Sequence, residues 1–101
     1  MVFREVVFSK TSVKKLLLLL EYLETEWSVN VRNAFELKLE NCIEILIKMP
    51  ESFPKSNSKN DIHKCLVTKQ TTIYYRFNSK KIEISAIFDT RQNPKNIKKI
   101  K

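Results

Sequence analysis

A chain of 101 residues with 43% apolar and 30% charged side chains predicts a single domain, residues 1–101, with one core. Two cysteines outside any Cys-x-x-Cys pair and a single histidine are too few for a zinc site, so neither metal nor cofactor is expected; reduced thiols in the cytoplasm are the plain reading. The net charge of +8 lies wholly in the second half: residues 1–50 hold seven Lys/Arg against seven Glu, and residues 51–101 hold twelve against four acids. Such a one-sided field favours a polyanionic partner (nucleic acid, the ribosome or an acidic protein segment) over simple solubilisation.

Val2–Phe8 is rich in β-branched and aromatic residues and reads as a first strand. Ser9 or Ser12 can cap the helix that follows, whose apolar positions are Val13, Leu16, Leu17, Leu20, Leu23 and Trp27. Leu18 and Leu19 widen that stripe, which predicts cover on more than one side. The Leu16–Leu20 run is far shorter than the roughly 20 residues that span a bilayer. No small-residue cleavage site follows it, so no membrane or export role is expected.

A joint at Ser28–Asn30 leads into a second helix over Val31–Lys48, with Val31, Phe35, Leu39, Cys42, Ile43 and Leu46 on one face. Glu44 and Lys48 stand in the favourable order for a pair one turn apart. The two helices predict an antiparallel hairpin whose leucines serve core packing. Met49–Asp61 reads as a loop, long for so small a domain.

The remainder reads as strands: Ile62–Thr68, Thr71–Phe77 and Lys81–Asp89. Ile73, Tyr75 and Phe77 alternate with Thr72, Tyr74 and Arg76. Ile82, Ile84, Ala86 and Phe88 alternate with Glu83, Ser85 and Ile87. Period two buries one face of each strand. Lys69–Gln70 and Asn78–Lys80 are the expected turns. The chain has no glycine, so Asn78 is the best candidate for a positive φ. Thr90–Lys101 is a tail or a frayed helix. The order predicts an α+β fold: one antiparallel sheet, built from a strand, a helix hairpin and a three-strand meander, with two helices packed on one face and the other face free for a ligand.

Several stretches carry a family likeness. They are Tyr22-Leu23-Glu24 with Trp27-Ser28, and Ile47-Lys48-Met49-Pro50 with Phe53-Pro54. They also include His63–Val67, Ile73–Phe77 and the closing Ile87-Phe88-Asp89-Thr90-Arg91-Gln92-Asn93-Pro94. In this order and length the chain resembles the RelE/ParE superfamily of type II toxin–antitoxin (plasmid stabilisation) toxins, over nearly its whole length. The resemblance implies a cognate antitoxin protein that wraps and silences the toxin. It also implies one of two targets: messenger RNA in the ribosomal A site, which some members cut, or DNA gyrase, which others inhibit. RNA-cutting members often carry Tyr or His-Tyr just after the last strand. This sequence has neither there: it reads Asp89-Thr90-Arg91-Gln92-Asn93.

Metal-free RNA cleavage needs a base for the 2′-hydroxyl, cations for the phosphate and an acid for the leaving oxygen. His63 is the one side chain whose ordinary pKa suits both proton roles near neutrality. Arg76 and Arg91 are candidate catalytic phosphate clamps, because guanidinium matches phosphate geometry. Lys55, Lys59, Lys64 and Lys95 are candidate nucleic-acid contacts beside them. Each has a plainer alternative: His63 as a boundary residue, Arg76 paired with Glu83, Asp89 orienting Arg91 or capping its turn, and Tyr74 packing rather than stacking on a base. Three functions are therefore expected in this order: ribosome-dependent mRNA endonuclease, non-enzymatic gyrase poison, and a basic nucleic-acid-binding module that is no toxin.

Overall fold

The computed structural model describes residues 4–56 and 61–91. Ser9 ends the first strand, β1 (Glu5–Phe8), and starts the first helix, α1 (Lys10–Glu26). Its backbone is extended and its Oγ accepts from the Ser12 N–H at 3.0 Å, which satisfies a donor the first turn leaves open. Ser28 does the same for α2 (Val29–Lys48) by accepting from the Val31 N–H at 3.0 Å. Trp27 and Ser28 alone separate the helices, a tighter joint than expected. Arg32 straps them together, reaching Glu24 on α1 at 2.9 Å and Glu36 on α2 at 3.6 Å.

A 3-10 turn at Pro50–Ser52 follows, and then β2 (His63–Leu66), β3 (Thr71–Phe77) and β4 (Lys81–Asp89). The sheet order is β1-β4-β3-β2. The two hairpins are antiparallel, but β1 pairs with β4 in parallel, so the sheet is mixed rather than wholly antiparallel. The helix pair is the reason. It returns the chain to the end of the sheet where β1 begins, and the Arg4 guanidinium marks that end by donating to the Ile47 carbonyl at 3.3 Å. From there β2 sets out in the direction of β1, and two reversals later β4 shares that direction.

The helices cover one face of the sheet. Leu19 and Leu23 from α1 and Phe35, Leu39 and Leu46 from α2 pack on Cys65, Ile73, Tyr75, Ile82, Ile84 and Ile87. Each such side chain contributes roughly 1.5–3 kcal/mol by leaving water. The wide leucine stripe is not covered on two sides: Leu17 is 61% and Leu18 46% exposed. The antiparallel register slips between Tyr74 and Tyr75, which pair with Ala86 and Ile84. Ser85 is therefore an extra residue, and the alternation of β4 changes after it. Ile87 and Asp89 point inward while Phe88 is 36% exposed, so Ile87 joins Ile82 and Ile84 on the buried face and Phe88 leaves their set, against the simple alternation expected. Asn78 does not take a positive φ; no described residue does. Its Oδ1 instead accepts from the Lys80 and Lys81 N–H groups at 2.7 and 3.0 Å, closing the turn with a side chain.

Candidate functional site

His63 stands opposite Tyr75 in the β2–β3 register, on the helix-covered face. Its ring lies stacked 5.5 Å from that of Tyr75 and tilted 5.2 Å from that of Phe77. Its Nδ1 is 2.8 Å from the Phe53 carbonyl oxygen. A carbonyl can only accept, so Nδ1 is the donor in this contact. The Tyr75 hydroxyl donates to the Pro50 carbonyl at 2.6 Å, which fastens the 3-10 turn to β3. Burial pushes the Tyr75 phenol pKa up, and nearby Cys65 and Glu51 push it further. Lys55 bridges to His63 in a short antiparallel contact and reaches Asp61 at 3.7 Å. Thus His63 and Lys55 are brought together.

Arg76 and Lys64 are placed elsewhere. Neighbouring residues of a strand point to opposite faces, so Lys64 and Arg76 lie on the outer face, away from the helices. There Lys64 pairs with Tyr74, Arg76 with Glu83, and Leu66 with Thr72, which in turn pairs with Phe88. The result is a row in which two exposed cations flank a half-buried tyrosine, beside Leu66 at 62% exposure. Arg76 and Glu83 are register partners, yet none of the ion pairs among the described residues joins them. The sheet itself separates the Arg76 side chain from the His63 imidazole.

Arg91 is held differently again. The Asp89 carboxylate is 1% exposed and accepts from the Arg91 N–H at 2.8 Å, from Nε at 3.3 Å and from Nη2 at 3.1 Å. The buried Thr71 hydroxyl donates to the same carboxylate. The guanidinium also lies 5.9 Å from the centre of the Trp27 ring, within reach of a cation–π contact. Asp89 therefore both orients Arg91 and closes the turn after β4, so the two roles considered for it coexist. A groove of about 190 Å³ between Arg91, Lys38 and Phe35 adjoins this clamp. Lys59 and Lys95 lie outside the described residues.

Sequence reasoning offered Asp89 as the residue that orients Arg91 but missed its buried partner Thr71, because a bulge had to turn Asp89 inward. It also missed the wide groove of about 510 Å³ beside Leu17, Glu21, Glu24 and Arg32 on the helix hairpin. Exposed leucines at helical spacing beside that stripe were its signal.

No family model matches the chain, and no curated protein matches it. Solved structures do. A chain of the chromosomal ParDE TA system from P. aeruginosa superposes with a TM-score of 0.69 at 8% identity, over 86% of this chain and 96% of that one. A chain of the E. coli DinJ–YafQ toxin–antitoxin complex gives 0.59 at 14% identity, over 89% and 96%. YafQ from E. coli strain BL21(DE3) gives 0.56 at 16% identity, over 87% and 94%. The strand, helix hairpin and meander of this chain are thus the fold found in toxin–antitoxin systems, as the RelE/ParE resemblance implies.

Proposed function

We propose that the chain is the toxin of a type II toxin–antitoxin pair, silenced by a co-expressed antitoxin, and that it arrests growth by occupying a macromolecular target. The observation that carries the toxin reading is the fold, shared with chains of the ParDE and DinJ–YafQ systems over nearly the full length of each chain. The placement of the candidate residues supports occupation over cutting. The single histidine, His63, faces the helices; Arg76 faces away; and Arg91 is already neutralised by Asp89. General acid–base chemistry on one phosphodiester needs these groups around one phosphate. A gyrase-type protein target fits this dispersal.

Ribosome-dependent mRNA cleavage remains the second reading, favoured by the Lys64–Tyr74–Arg76 row. A base can stack on Tyr74 while cations hold the flanking phosphates, with the ribosome completing the geometry. Tightly controlled induction tests the toxin reading common to both. Colony formation should collapse and should return when the product of a neighbouring small reading frame is co-expressed. A harmless chain at full expression would leave only the basic nucleic-acid-binding module.

A further inference from the structure

The two cysteines, far apart in the sequence, meet in the fold. Cys42 lies on α2 with its Sγ 4.0 Å from the Leu66 carbonyl oxygen, and Cys65 precedes that residue on β2 with its side chain turned toward the helices. Cys42 packs against the buried cluster to which Cys65 belongs. Cys42 is half-buried and open to small reagents, whereas Cys65 is buried. Neither takes part in the function proposed above, and the inference stands independently of it.

We propose that Cys42 and Cys65 form a modification site: a reversible disulfide, made by exchange with a low-molecular-weight disulfide, that pins α2 to β2. The Cys42 thiolate attacks one sulfur of the small disulfide, forming a mixed disulfide and expelling one small thiolate. The Cys65 sulfur, once deprotonated, attacks the Cys42 sulfur, forming the protein disulfide and expelling the second small thiolate. Two protein thiols are oxidised, one small disulfide is reduced to two thiols, and both protons leave on those thiols. The order follows from exposure. Burial, with Cys42 adding to it, pushes the Cys65 thiol up to about 12, so Cys65 is a poor first nucleophile and serves as the resolving thiol. The ring so closed contains Pro50, Phe53 and His63. Oxidation therefore restrains the segment whose Phe53 carbonyl orients the His63 imidazole.

The test treats the reduced full chain with oxidised glutathione and reads intact mass and free thiols without reductant. Expected is loss of both thiols together, a mass lower by two hydrogens, no retained glutathione, and a melting temperature raised by about 5–10 °C that reductant reverses. Cys65→Ala should stop at glutathione on Cys42, and Cys42→Ser should leave Cys65 unreacted. The proposal is overturned if wild-type protein keeps glutathione on Cys42 with Cys65 still free, if neither thiol reacts, or if linked dimers are the product.

Discussion

Arg91, a candidate phosphate clamp in the sequence, has a structural partner in the fold. Its guanidinium neutralises a carboxylate that is almost wholly buried. Removing one partner of such a pair takes away the opposite charge that offsets the other, at a cost of about 3 kcal/mol. Arg91→Ala should therefore lower stability by about that amount, and adding Asp89→Asn should recover part of it. Denaturant unfolding of the single and double variants checks this. A fully stable Arg91→Ala protein that has lost toxicity would return Arg91 to the target-binding surface. A second prediction concerns alkali. Cys65 and Tyr75 have ordinary values of 9.0 and 10.0, and both are raised in the folded chain, Cys65 to about 12. Each keeps its proton when folded and gives it up when unfolded, so the stabilisation is whole below pH 9 and is lost as pH climbs from 9 toward 12. The melting temperature should fall between pH 8 and pH 11, and fall less in Cys65→Ser.

The elements were largely legible, since their apolar periods are long and regular. The ranges expected for β3 and β4, Thr71–Phe77 and Lys81–Asp89, are those observed, and α2 gained only Val29 and Asn30 at its start. What stayed hidden depends on pairing. Period two reports that a strand has two faces, but not where a bulge exchanges them. Ser85 does so, and Ile87 thereby enters the core while Phe88 leaves it. The consequence is directly measurable. Ile87→Ala should cost about 2–4 kcal/mol, as removal of a buried isoleucine side chain does, whereas Phe88→Ala should cost under about 1 kcal/mol. A larger cost at Phe88 than at Ile87 would mean that β4 keeps simple alternation through its length. The direction of β1 was likewise unreadable, because it is set by where the helix hairpin delivers the chain. Of the candidate site, the residue types were visible and the faces largely so. That His63 and Arg76 lie across the sheet from each other follows once β2 and β3 are in register.

At the scale of the molecule, the helix hairpin and the outer sheet face present different side chains. The helix hairpin carries exposed leucines beside Glu21 and Glu24, while the outer sheet face presents Lys64, Tyr74 and Arg76. The second half of the chain carries all of the +8 net charge. An antitoxin held by that half should be acidic or amphipathic, and its affinity should weaken as salt screens exposed charges. Titrations at low and high salt check this, and an affinity indifferent to salt would move the contact to the helix hairpin. The proposed mode of action is occupation of a target, with the candidate catalytic groups on separate faces. The most direct test follows labelled thymidine and labelled methionine incorporation in parallel after tightly controlled induction. Occupation of a gyrase-type target predicts that thymidine incorporation falls first while transcripts stay intact. Methionine incorporation falling first, with cut transcripts, would contradict it and restore mRNA cleavage as the mechanism.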